Sequence, residues 1–301
     1  MERLLVFAAV GLAAQLVDGA LGMAYGVTST TLLLSTAVAP AVASASVHLA
    51  ECGTSLVSGL SHWRFGNVDW GVVARIAIPG GIGGFAGATV LSNLSTDSAK
   101  PWMAVLLLLG IYIITRFLIA QPPVIKIGQR PGTSVLVPLG LFAGFVDATG
   151  GGGWGPVATP TLIASGKLDP RKVIGSVSAS EFVVTISASP GFLAALGTSG
   201  LDWRVVVGLL AGGVIAAPFA AWLVHKVSLP MLGALVGGVI LITNSRTLMV
   251  SFDAERWFVY AILVAIWVAL LTYAVRKTRS IRAMAGVGAV SVDDRDVVRV
   301  V

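Results

Sequence analysis

One stretch decides how the fold of this chain is interpreted: Phe145-Val146-Asp147-Ala148-Thr149-Gly150-Gly151-Gly152-Gly153-Trp154-Gly155-Pro156. It lies inside an apolar run from about residue 134 to residue 165, which is too long for one straight membrane-spanning helix. Four consecutive glycines interrupt that run, preceded by an aspartate and followed by a proline. Glycine and proline are the poorest residues in a helix interior, so the run is expected to break into two helices.

A similar interruption occurs earlier in the chain, at Asp18-Gly19-Ala20-Leu21-Gly22-Met23-Ala24-Tyr25-Gly26. Asp147 follows Asp18 by 129 positions, and the same offset relates Gly22 to Gly151, Tyr25 to Trp154 and Gly26 to Gly155. Farther along, Ser44-Ala45-Ser46 corresponds to Ser176-Val177-Ser178, and Asp69-Trp70 to Asp202-Trp203. The spacing predicts two internal repeats, each with a glycine-broken helix at the same place.

The composition predicts an integral membrane protein. Of the 301 residues, 56% are hydrophobic and 11% are charged, whereas a soluble domain carries about 25% charged residues. The apolar segments are long and lack the alternation of barrel strands, so they are interpreted as transmembrane helices. The expected fold is therefore all-α, a polytopic helical bundle of about eight or nine transmembrane helices.

The domain organisation follows from these segments. We expect a first transmembrane repeat at residues 1–120, a connecting loop at 121–132, and a second repeat plus a final span at 133–275. Residues 276–301 are expected to form a basic, flexible tail. Its Arg276, Lys277, Arg279 and Arg282 lie directly after the final span, which by the positive-inside tendency predicts a cytoplasmic C-terminus in the cell membrane.

Two broken helices that meet near the membrane midplane are typical of a transporter's substrate site. A break exposes backbone N–H groups at a helix N-terminus, and these can bind an anion without a buried cation. The alternative is that the glycines only allow close helix packing. The candidate substrate-binding residues are Gly22, Tyr25, Gly26, Ser46, Gly150, Gly151, Gly152, Gly153, Trp154, Gly155 and Ser178.

Ionisable residues inside spans are costly, so each is a candidate for function. Asp18 and Asp147 precede the two breaks, where they can couple or gate protons, or else cap the helix that follows. His48 and Glu51 share one helix face and can share a proton or hydrogen bond, unless both lie solvated at the interface. Glu181 lies early in the corresponding helix of the second half. These five residues are the candidates for proton coupling or gating.

The sequence argues against several other classes. Cys52 is the single cysteine, so neither an internal disulfide nor a cysteine-based metal cluster is expected. The three histidines are scattered, and no nucleophile elbow or phosphate-binding loop occurs. We expect no enzyme activity, no metal and no cofactor. The basic residues lie in connections and in the tail rather than in one patch, so no nucleic-acid partner is expected. The expected partners are the lipid bilayer and a small anionic substrate. Self-association into a homo-oligomer stays open.

The stretch from Gly144 to Pro156, followed by Thr159-Pro160 and Leu162, resembles the glycine-rich motif of the sulfite exporter TauE/SafE family of membrane permeases. The first half departs from it, because Gly22-Met23-Ala24-Tyr25-Gly26 stands where the family usually has a glycine run. The resemblance implies export or uptake of small sulfur oxyanions, organosulfonates or related organic anions. Together with the paired breaks, it predicts a secondary transporter; the alternatives are a passive anion channel and a membrane-embedded structural subunit.

Overall fold

The computed structural model describes residues 2–21, 23–108, 130–223 and 229–288. These residues form eleven α-helices and no β-strand, which confirms the all-helical class for this part of the chain. The helices are α1 (Glu2–Leu21), α2 (Tyr25–Ser35), α3 (Pro40–Arg64), α4 (Trp70–Asn93), α5 (Thr96–Leu107), α6 (Thr133–Gly150), α7 (Trp154–Ala164), α8 (Pro170–Leu196), α9 (Trp203–Leu223), α10 (Leu229–Ser251) and α11 (Trp257–Gly288). Gly22, most of the predicted connecting loop and the end of the predicted tail lie outside the described residues.

Four of these helices are long and apolar enough to cross a membrane: Trp70–Asn93, Thr133–Gly150, Lys172–Leu196 and Trp257–Ser280. They correspond to α4, α6, α8 and most of α11. The larger number of eight or nine spans stays a prediction, as do the domain boundaries.

The last helix extends beyond its predicted span. The sequence predicted a flexible tail from residue 276, whereas α11 continues to Gly288. Arginine, lysine, alanine and methionine, which are good helix formers, dominate residues 276–286. The polar character that ends a membrane span therefore does not end the helix.

Glycines let each helix that leads into a break pack closely against a helix from the other half of the chain. Between α6 and α4, a Cβ on Gly144 would collide with the carbonyl of Gly80. Between α1 and α9, a Cβ on Gly11 would lie 2.7 Å from the Cα of Leu209, and one on Gly212 would collide with the carbonyl of Ala8. Small residues at such crossings allow backbone contact, which stabilises helix pairs in lipid. These two crossings fix α1 and α6 in the bundle.

A polar contact at one end of the bundle joins α4, α8 and the segment before α6. Asp69 caps α4 by accepting hydrogen bonds from the N–H groups of Gly71 at 2.9 Å and Val72 at 3.2 Å. Its own N–H donates to Ser176 Oγ on α8 at 2.8 Å, and Arg130 Nε donates to its Oδ2, also at 2.8 Å. Partial burial raises the pKa of the Asp69 carboxyl, but the hydrogen bonds and the charge of Arg130 outweigh burial and hold this pKa below its ordinary value.

Candidate functional site

The second break separates α6 from α7. Gly151 has φ 72° and Gly152 has φ 147°, a region of backbone conformation that side-chain-bearing residues rarely adopt. Both N–H groups donate to the carbonyl of Asp147, at 2.7 Å and 3.0 Å, which terminates α6 in a left-handed turn. The glycine run predicted from the sequence therefore forms a sharp, hydrogen-bonded turn between two helices.

Asp147 also caps the helix after the break. Its Oδ1 accepts hydrogen bonds from the N–H groups of Gly153 at 2.6 Å and Trp154 at 2.9 Å. The Asp147 side chain is 2% exposed. A carboxylate at this place satisfies the first donors of α7 and interacts favourably with the dipole of that helix.

The first break has the same cap: the two N–H donors lie six and seven residues after the aspartate, as they do in the second break. Asp18 Oδ1 accepts hydrogen bonds from the N–H groups of Ala24 at 2.8 Å and Tyr25 at 3.1 Å. Thus the capping role, one of the two roles that the sequence left open for Asp18 and Asp147, is the geometry observed in both breaks. The Asp carboxylates occupy N–H groups that an external anion was expected to bind.

The two breaks lie directly against each other. A Cβ on Gly26, at the start of α2, would lie only 2.7 Å from the Cα of Gly152, so their backbones are in contact. Thr30 Oγ1, one turn further along α2, donates a hydrogen bond to the carbonyl of Gly151. The structure therefore brings the two glycine-containing motifs together in the buried interior. Thr30 was not among the sequence candidates, because it lies in the run Thr28-Ser29-Thr30-Thr31, in which nothing in the sequence distinguishes one hydroxyl group from its neighbours.

The two aromatic candidates anchor the breaks to neighbouring helices. Tyr25 Oη donates a hydrogen bond to the carbonyl of Leu209 on α9 at 3.2 Å. Trp154 Nε1 donates to the carbonyl of Val177 on α8 at 3.1 Å, and the ring is fully buried. The hydroxyl group of Tyr25 and the indole N–H of Trp154 are thus both hydrogen-bonded to backbone carbonyls of other helices. Each ring therefore positions the start of the helix that follows its break.

The remaining glycine candidates and the serine candidates differ in burial and partners. Gly150, Gly153 and Gly155 are all buried at the second break. Ser46 is also fully buried, and its Oγ has no hydrogen-bond partner. Ser178 is only partly buried.

His48 pairs with Asp147 rather than with Glu51, the partner predicted from helix spacing. His48 Nδ1 lies 2.8 Å from the carbonyl of Ser44, and Nε2 lies 3.2 Å from Asp147 Oδ2. A carbonyl only accepts, so Nδ1 must carry a hydrogen. The contact between Nε2 and Oδ2 then needs one further proton, which resides on either the imidazole or the carboxyl group. The His48–Asp147 pair therefore holds one shared proton.

Glu51 lies at the contact between the two breaks. Its side chain is 3% exposed, so the alternative of a solvated residue at the membrane interface is wrong for Glu51. Its Oε1 lies 3.0 Å from the place that a Cβ on Gly26 would occupy, and Oε2 is buried without a hydrogen-bond partner. Glu181 on α8 is partly buried, and its carboxyl group, like those of Asp147 and Asp18, interacts electrostatically with Glu51. The described part of the interior thus combines four carboxyl groups with one imidazole. Within the same residues, no group of three or more His, Cys, Asp or Glu side chains is arranged to hold a metal ion.

Comparison with known proteins adds an independent line of evidence. The model of the family described as sulfite exporter TauE/SafE matches residues 7–247 of the chain. The chain is 50% identical over 282 residues to the probable membrane transporter protein YtnM of Bacillus subtilis strain 168, which covers 92% of this chain and 94% of that protein. No solved structure matches the chain significantly. The family match spans both breaks and all of the candidate residues, and it confirms the resemblance based on the glycine-rich motif.

Proposed function

The chain belongs to the sulfite exporter TauE/SafE family, and we propose that it is a secondary transporter, not an enzyme, that moves a small anion across the cell membrane together with protons. The proposed substrate class is a sulfur oxyanion or an organosulfonate. The observation that carries this proposal is the buried contact between the two helix breaks, with the carboxyl group of Glu51 beside it.

The breaks supply the anion site in this proposal because two helix N-termini converge there. Helix N-termini attract negative charge through their N–H groups and dipoles. In the observed conformation, the carboxylates of Asp18 and Asp147 take the N–H groups at the start of α2 and α7. A substrate anion then binds either to neighbouring donors or in exchange for one of these internal carboxylates.

The charge of the interior supports proton coupling. Four carboxyl groups, those of Asp18, Glu51, Asp147 and Glu181, act on one another electrostatically, and His48 contributes a single imidazole. An anion is repelled from such a site as long as the carboxyl groups are ionised. A protonated carboxyl group instead donates a hydrogen bond to an oxyanion. Anion entry is therefore favoured when protons enter with it.

The paired geometry supports an alternating-access mechanism. We treat the two halves of the chain as repeats, each with one break, one capping aspartate and one glycine-lined crossing to the other half. Rocking of one half against the other would open the contact between the breaks to either side of the membrane. The basic residues after the final span put the C-terminus on the cytoplasmic side in this proposal.

Transport in proteoliposomes tests this proposal. Labelled sulfite and labelled methanesulfonate are offered separately, with and without an inwardly directed proton gradient. We expect saturable uptake of one or both, accelerated by the gradient and returned to its basal rate by a protonophore. Protein-free liposomes provide the control.

Two outcomes contradict the proposal. Uptake that does not saturate and ignores the proton gradient indicates a passive channel. No uptake of either compound by monodisperse, folded protein removes the sulfur-anion assignment and leaves a structural subunit as the alternative.

A further inference from the structure

The two aspartates of the site are already committed to structural contacts. Asp18 and Asp147 each hold two backbone N–H groups through Oδ1, and the second oxygen of Asp147 faces His48. A carboxylate that accepts several hydrogen bonds is stabilised in its charged form. A proton on Asp147 would have to compete with the cap or remain within the pair that it forms with His48. These contacts commit both aspartates to holding the helix that follows each break.

Glu51 is bonded very differently. It is as deeply buried as Asp147, yet Oε2 has no hydrogen-bond partner. An ionised carboxylate that is buried without a donor or a cation is strongly disfavoured, because it loses its hydration and gains nothing in return. A proton or a bound cation at Oε2 would therefore stabilise Glu51 in this conformation.

The surroundings of Glu51 favour a proton. The groups whose charges act on it, or on which its own charge acts, are acids, phenol or thiol. Within the part of the chain that the structure describes, no lysine or arginine is among them. They are Asp18 on α1, Tyr25 on α2, Asp147 on α6, Glu181 on α8 and Cys52 on its own helix; the nearby His48 already contacts Asp147. Within the described residues, no group of three or more His, Cys, Asp or Glu side chains is placed to hold a metal ion.

The position of Glu51 links its protonation to the breaks. Its Oε1 and the carbonyl oxygen of Gly151 lie 3.0 Å and 3.3 Å from the same point, the place of a Cβ on Gly26. Loss of the proton would therefore add a negative charge to the region where α2 meets the second break, which also holds this carbonyl oxygen. Repulsion between the charge and the carbonyl dipole would favour separation of the breaks.

We propose that Glu51 is the group that binds the transported proton and that Asp18 and Asp147 serve as helix caps. This inference rests on the proposed function. In each cycle, a proton from water on one side forms an O–H bond on Glu51. It leaves when that bond breaks on the other side and the proton returns to water, and no redox step is involved.

The first experiment compares the thermal stability of purified full-length protein in detergent. Glutamine has the shape of a neutral carboxyl group, so Glu51→Gln should melt at or above the Tm of the wild-type protein. The matched control, Asp147→Asn, should melt lower because it weakens the contact with His48. Replacing potassium chloride with sodium chloride should leave the wild-type Tm unchanged. A Glu51→Gln protein that melts well below wild type or fails to fold, or a wild-type protein stabilised specifically by sodium, would overturn the proposal.

The second experiment measures transport by the same variant in proteoliposomes. Any exchange of labelled for unlabelled substrate that Glu51→Gln retains should have lost all stimulation by a proton gradient. If wild-type protein responds to the gradient and Glu51→Gln does so equally, the inference about Glu51 is wrong while the proposed function stands. If wild-type protein transports neither sulfite nor methanesulfonate, the proposed function is wrong, and the stability measurements alone decide whether Glu51 is neutral.

Discussion

The two helix breaks are capped in the same way but secured differently. In both breaks, an aspartate accepts hydrogen bonds from two backbone N–H groups at the start of the following helix. The second break is held additionally from α3, where His48 Nε2 contacts Asp147 and Ser44 Oγ donates to the carbonyl of Ala148 at 2.7 Å. The carboxyl group of Asp18 has no such histidine partner among the described residues. We infer that the second break is the fixed part of the site and that the first break is better able to move.

The backbone of the two breaks differs as well. Gly152 needs a positive φ and lies against the backbone of Gly26, whereas Met23 holds the corresponding position in the first break with a buried side chain. A side chain is therefore tolerated on one side of the contact and excluded on the other.

The largest expected effect on stability comes from adding a side chain at Gly152, where the contact between the breaks excludes one. Gly152→Met should destabilise the protein by more than about 4 kcal/mol, because the side chain meets the backbone of α2 and the backbone strains at positive φ. The matched change Met23→Leu should cost less than about 1.5 kcal/mol, since it conserves volume. The yield of monodisperse protein and its Tm in detergent measure both. Equal losses from the two variants would remove the distinction between the breaks.

A smaller difference is expected from the two capping aspartates. Asp147→Asn should destabilise the protein by about 3–5 kcal/mol, because it disrupts a buried pair with His48. Asp18→Asn should cost less than about 1 kcal/mol, because asparagine is an equally good cap. Thermal or denaturant unfolding in detergent provides the comparison. Similar values for the two variants would mean that the histidine adds nothing to the second break.

The coupling between His48 and Asp147 sharpens this interpretation. A double-mutant cycle with His48→Gln and Asp147→Asn should yield an interaction free energy of about 1.5–3 kcal/mol, as expected for a hydrogen bond that involves a charged group. The same cycle with Ser180→Ala in place of His48→Gln should yield nearly zero, because Ser180 Oγ bonds to carbonyls of its own helix at 2.8 Å and 2.9 Å. Additive effects in both cycles would show that the pair does not hold the second break.

The smallest effect is expected at the helix that supports α6, where Asp69 caps α4. Arg130→Gln should cost about 0.2–1 kcal/mol, since the arginine side chain is 61% exposed and its charge is screened. Because the pKa of Asp69 is held below its ordinary value of 3.8, the contribution should be fully present above that value and lost as the pH falls through the lowered pKa. Unfolding of both proteins between about pH 3 and pH 7 checks this. A difference that grows towards acid pH would contradict the sign of the shift.

The sequence predicted the helix breaks well, because glycine, proline and aspartate act locally on the backbone. The position of Asp147 before four glycines, for instance, leaves few alternatives to a capped turn. The partner of His48 could not be predicted in the same way, since Asp147 lies 99 residues away and helix spacing pointed to Glu51 instead. Nor could sequence spacing show that Glu51 is buried beside Gly26, because that contact depends on how α2 and α3 pack around the second break.

The glycine-lined crossing of α1 with α9 also bears on how the protein is made. Gly11 and Leu209 meet in the folded chain, but nearly two hundred residues of synthesis separate them. At roughly 5–20 residues per second, α1 waits on the order of 10–40 s before its partner emerges from the ribosome. During that interval its small-residue face is covered by lipid or by the insertion machinery, and α6 can meet α4 first. The interlocked halves therefore favour an order of assembly in which the second break is built before the first.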